Sequence, residues 1–146
     1  MGQSGVIRVL IVAPEAADSA HLAAVVRRRA AAERCAFTLL IPARPPGLRA
    51  AGYPERPGRT EAERRLSDAL PSLSQAAGEP IPGIVGAHDP VTAVRDALEL
   101  LGFDEVILFT PRSGLGSREL CDRIHRLGVQ VTPVAENTRA DCAPAP

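Results

Sequence analysis

An α/β domain built on a five-stranded parallel sheet, with helices covering both faces, is the fold class this sequence predicts. Three observations carry that prediction. Val9-Leu10-Ile11-Val12 and Val106-Ile107-Leu108-Phe109 are apolar without alternation, as strands buried on both faces of a parallel sheet are. Between the apolar segments, Leu22, Val25, Val26 and Ala30, and later Val91, Val94, Leu98 and Leu101, recur at helical spacing. Strand and helix then alternate five strands deep within 146 residues, a length suited to one domain.

Taken in order, the first strand spans Val6 to Ala13 and Pro14 ends it. Asp18 and Ser19 are N-cap candidates for a helix reaching about Glu33, and its last turns carry Arg27, Arg28, Arg29 and Arg34. The run Arg27-Arg28-Arg29 reads as a solvated helix face. Ala36 to Ile41 forms the second strand and stops at Pro42. Pro42 to Arg59 holds five prolines and three glycines in 18 residues, which predicts a long loop with no packed element. Thr60-Glu61-Ala62-Glu63 fits a capping box opening the second helix, and Pro71 is expected to kink or split it. Ile81 to Val85 is a weak third strand, placed at a sheet edge by Pro82, which lacks a ladder donor. Asp89-Pro90 is a helix start and Gly102 its stop. After the fourth strand, Ser113-Gly114-Leu115-Gly116-Ser117 forms a loop before a short helix ending at Gly128. Val129 to Val134 makes the fifth strand. The domain is expected to occupy residues 1–135, with 136–146 a disordered tail.

Composition excludes several functions. Seventeen basic and 17 acidic residues give a net charge of +0, without the basic surplus on which phosphate-backbone binding rests. Every basic residue is arginine, and the absence of lysine removes a Walker-A clamp, a Schiff base and a kinase-type ATP lysine. With one Tyr, three Phe and no Trp, little surface exists for stacking bases. No nucleic-acid partner is expected. No segment approaches the ~18 apolar residues of a membrane span. Cys35, Cys121 and Cys142 lack zinc-site or CxxC spacing, so no metal is expected and a reducing, cytoplasmic setting follows.

The order of elements and several short signatures resemble the universal stress protein family. Those signatures are Val9-Leu10-Ile11-Val12-Ala13 with Ser19 opening the next helix, the long loop after the second strand, and the turn Gly86-Ala87-His88-Asp89-Pro90. Asp104-Glu105-Val106-Ile107-Leu108 and the closing strand Gly128-Val129-Gln130-Val131-Thr132-Pro133-Val134 complete them. The resemblance covers Val6 to Val134. It implies strand order 3-2-1-4-5, a Rossmann-like arrangement, and a homodimer formed through the fifth strand, with Val129, Val131 and Val134 at the interface. The family's ATP-binding branch carries an aspartate at the end of strand one and G-x2-G-x9-G-[S/T] after strand four. Here Pro14 stands at the aspartate position with Glu15 beside it, and Gly114 and Gly116 are one residue apart instead of two. No later Gly-Ser pair precedes Gly128. A regulatory or stress-associated domain without turnover is therefore expected, its nucleotide site reduced or lost and no cofactor firmly implied.

A strand order of 3-2-1-4-5 has its switch point between strands one and four, where ligands of open α/β sheets bind. The alternative reading is a module binding ATP, another nucleotide or an anion there. Its candidate residues are Glu15, Asp18, Thr110, Arg112, Ser113, Gly114, Gly116, Ser117 and Arg118. Free N–H groups at the start of the following helix suit a phosphate, flanked by the two arginines. The same glycines serve equally as turn residues, with Ser117 as an N-cap. Glu15 and Asp18 complement a helix dipole whether or not they touch a ligand. A third reading makes Glu15, Asp18 and His21 an acid–base set at the same crevice. Cys121 and His125 share a helix face, a spacing equally met by a packed cysteine beside a surface histidine.

Overall fold

A computed structural model describes residues 5–13, 20–43, 56–110 and 115–135. Its elements are β1 (Ile7–Val12), α1 (Ala20–Ala32), β2 (Cys35–Pro42), α2 (Arg56–Ala77), β3 (Gly83–Gly86), α3 (Pro90–Leu100), β4 (Glu105–Thr110), α4 (Leu115–His125) and β5 (Gln130–Ala135). The five strands form one parallel sheet in the order β3-β2-β1-β4-β5, the order expected from the sequence. Side chains sort by parity. Val9, Ile11, Phe37, Leu39, Ile41, Ile107 and Phe109 pack with Leu22 and Val26 of α1 and with the apolar stripe of α2. Leu10, Val12, Leu40, Val106 and Leu108 pack on the other face against α3 and α4. Both faces of β1 and β4 are thus core, which is why neither strand alternates in sequence.

The caps of α3 follow the expected chemistry. The Asp89 carboxylate accepts hydrogen bonds from the Thr92 backbone N–H (3.1 Å) and hydroxyl (2.8 Å), and Pro90 opens the helix. Those bonds from Thr92 hold the Asp89 carboxyl below its ordinary value. Because the shift is downward, its contribution to stability is present above the ordinary carboxylate range and is lost as pH falls through the depressed value. Gly102 (φ +80°) and Gly128 (φ +96°) adopt the left-handed conformation just beyond α3 and α4, the role the sequence assigns them.

Two expectations for α2 are corrected. It begins at Arg56, so Thr60 lies inside the helix rather than capping it, and Pro57 sits at the second helical position, where its missing N–H costs nothing. Nor does Pro71 split the helix, which runs unbroken to Ala77. Pro71 is exposed, so the carbonyl it leaves without an intrahelical donor is on the solvent side, while Ala62, Leu66, Ala69, Leu73 and Ala76 hold the buried stripe in place. The short helix after β4 also starts earlier than expected: Leu115, Gly116 and Ser117 form the first turn of α4 instead of a loop. Gly116 and Ser117 cost little there, because the N–H groups of a first helical turn have no intrahelical partner to lose. Most of the proline-rich stretch falls in 44–55, and the tail is 136–146; both lie outside the described residues, as do Asp18 and Ser19.

β3 is the edge strand that Pro82 foretells, and its last residue is tightly enclosed. A Cβ on Gly86 would stand 2.7 Å from the Ala93 Cβ and 2.8 Å from a Leu40 methyl. Ala93 belongs to α3 and has no side-chain freedom with which to yield. Gly86→Ala is expected to cost about 1–3 kcal/mol in urea unfolding, the usual range for overpacking; an unchanged midpoint would show that α3 shifts freely on the sheet.

Candidate functional site

The site is set by how the chain leaves β1 and β4. The two strands pair in register, Val12 opposite Leu108, so that Ala13 is level with Phe109 and Thr110 extends one residue beyond it. After β1 the chain passes to α1 on one face of the sheet. After β4 it passes to α4 on the opposite face. Two neighbouring strands whose connections depart to opposite sides leave a crevice at their carboxyl ends. Ala13 is buried and contributes only a methyl group, while Thr110 is half-buried at the strand end. In the first turn of α1, half-buried His21 stands over Phe109, with ring centroids 6.4 Å apart and planes tilted by 41°. Such a tilted separation is within the range of favourable ring contacts.

Of the residues that the sequence nominates, Thr110 lies at this crevice, and His21 stands on Phe109 one residue from it. Gly116 and Ser117 fall in the first turn of α4, and Arg118 is exposed on the same helix. Glu15, Asp18, Arg112, Ser113 and Gly114 lie outside the described residues. Val131 and Val134 are half-buried on opposite faces of β5, and Val129, just before the strand, packs inward against the α3–α4 side of the core. Cys121 is half-buried against that core and His125 is exposed; burial, with Asp122 adding to it, pushes the Cys121 thiol up and away from the thiolate form. Among the described residues, no group of three His, Cys, Asp or Glu side chains could hold a metal ion. None of their helices is long and apolar enough to cross a membrane.

Sequence reasoning missed a polar cluster at the opposite end of β4. Glu105, 6% exposed, is the buried charged residue of the described core. One of its carboxylate oxygens accepts from the Arg29 guanidinium, and the other from the Thr132 hydroxyl at 3.1 Å. Arg29 also pairs with Glu33 at 2.8 Å. The carboxylates of Glu33 and then Glu105 hold the Arg29 guanidinium above its already high ordinary value. Arg27 and Arg28 are exposed as read, but Arg29 is turned in toward the sheet, which corrects the reading of all three as a solvated face. The signal was available in parity: Glu105 has the same strand parity as Ile107 and Phe109, and so must point to the α1 face.

Comparison with known proteins comes down to the fold. No family model matches the sequence, and no curated protein matches it. A universal stress protein from Archaeoglobus fulgidus superposes with a TM-score of 0.57 at 14% identity, over 89% of this chain and 93% of that one. A universal stress protein solved in complex with cAMP superposes with a TM-score of 0.52 at 19% identity, over 91% of this chain and all of the other (100%). The chain has a universal stress protein-like fold, an α/β sheet of order 3-2-1-4-5.

Proposed function

We propose that this protein is a regulatory, stress-associated domain that binds a nucleotide at the β1/β4 crevice without turning it over. The observation carrying the proposal is the switch point itself, where Thr110 offers a hydroxyl at the strand end and His21 an imidazole. The cAMP held by a protein of the same fold supports a nucleotide as the ligand class. Binding without turnover is proposed because the chain lacks the lysine that commonly meets a transferring phosphoryl group, and Pro14 stands where the family's ATP motif has an acid. A reduced motif still leaves the crevice as a binding site. A cytoplasmic setting belongs to the same reading.

Calorimetric titration tests it, with ATP in the presence and absence of magnesium and separately with cAMP. Saturable binding of one of them is expected, together with about 2.7 kcal/mol of stabilisation at 100-fold excess over Kd. No heat and no thermal shift with either nucleotide would overturn the proposal.

The outer edge of β5 is assigned, in the same proposal, to a second copy of the chain. Among the described residues β5 is hydrogen-bonded along one side only, and such an edge is a template for pairing. Sedimentation at micromolar concentration is expected to give a dimer that Val131→Arg disrupts; a wild-type monomer would remove this assignment.

A further inference from the structure

Helix α1 touches β4 at both ends. At the carboxyl end of the strand His21 rests on Phe109, and at the amino end Arg29 pairs with Glu105. The spans match: eight residues of helix cover about 12 Å, and the four residues from Glu105 to Phe109 cover about 13 Å of strand. Between these points Leu22 and Val26 are fully buried. Apolar packing of this kind resists lifting of the helix but supplies no directional bond to fix its place along the axis. At Glu105 directional bonds tie the helix to the strand. Its carboxylate takes Arg29 of α1 on one oxygen and Thr132 of β5 on the other, so it is itself fixed from two sides.

We propose that Arg29 and Glu105 are remote positioning residues for the crevice: their ion pair sets where α1 stands along β4, and thereby where His21 meets the phosphate of a bound nucleotide. The proposal rests on the crevice being the nucleotide site. Arg29 and Glu105 touch no ligand and act only through the helix. A purely structural pair would support stability without governing where His21 stands.

The test compares Glu105→Gln and Arg29→Met with Arg29→Lys, and uses Asp89→Ala as a control that removes the α3 cap on the other face of the sheet. The first readout needs no ligand. The chain has three histidines, and the His21 imidazole NMR signals report its position over the Phe109 ring. They are expected to move in Glu105→Gln and Arg29→Met, to be restored in Arg29→Lys, and to stay put in Asp89→Ala, while the His88 and His125 signals stay put in the three variants at the pair. The second readout is calorimetric affinity for ATP and cAMP, expected to weaken about fivefold in Glu105→Gln and Arg29→Met relative to wild type. Unmoved His21 signals in both variants, or an equal loss of affinity in Asp89→Ala, would overturn the proposal. Should neither nucleotide bind the wild-type protein, the functional reading fails, and the His21 signals still decide whether the pair positions the helix.

Discussion

Glu105→Ala is expected to destabilise the fold by about 3 kcal/mol in urea unfolding, the low end for removing one partner of a buried ion pair. Two groups lose an acceptor together. The Thr132 hydroxyl is left half-buried, and the Arg29 guanidinium faces a core that no longer carries an opposing charge. The cost stays at the low end because Arg29 retains Glu33 and about a quarter of its side chain (26%) reaches solvent. The double variant Arg29→Met with Glu105→Leu is expected to recover most of the loss, since apolar side chains of similar volume often replace a buried pair with little net change. A single-variant loss below about 1 kcal/mol would place Glu105 among ordinary exposed pairs. A double variant as unstable as Glu105→Ala would instead show that packing around the site, and not the stranded charge, sets the cost.

That contrast also explains what could be read in advance and what could not. The sheet was legible because its central strands are apolar on both faces and its helices carry clean stripes. Leu22 and Val26, and Val91 and Val94, are buried where their spacing says they should be, whereas Leu98 is half-buried and Leu101, just past the end of α3, is exposed. Local chemistry was legible wherever partners are close in the chain, as at the Asp89 cap of α3 and the glycines after α3 and α4. Proline was over-read: Pro57 and Pro71 are both accommodated in α2, one in its first turn and one on its solvent side. The polar cluster escaped because its members come from α1, β4 and β5, with Glu105 76 positions after Arg29 and Thr132 27 positions after Glu105. A run of arginines at a helix end has a sufficient local explanation in the dipole, so nothing in the run itself separates Arg29 from its neighbours. At the crevice the position followed from strand order, whereas the His21–Phe109 contact depends on how α1 lies on the sheet.

Phe109→Ala is expected to cost more than any of these changes, about 4 kcal/mol, within the range for deleting a buried aromatic side chain. Phe109 is wholly buried (0% exposed) beneath α1, where Ile107, Ile11 and Val26 belong to the same cluster. Ala13, at the level of Phe109 on the neighbouring strand, is too small to refill the space. Truncation therefore leaves a cavity directly under the first turn of α1. With total stability on the order of 5–15 kcal/mol for a domain, a loss of that size removes a large fraction of it. Phe109→Leu keeps most of the volume and is expected to cost about 1.5 kcal/mol, so the pair separates filling the site from placing a ring there. The consequence reaches function through His21, which rests on that ring. In Phe109→Leu the fold is retained but the aromatic floor is gone, and nucleotide affinity should fall out of proportion to the small loss of stability. Equal affinity in wild type and Phe109→Leu would mean that His21 is held by other contacts of α1, and that the ring beneath it serves the core alone.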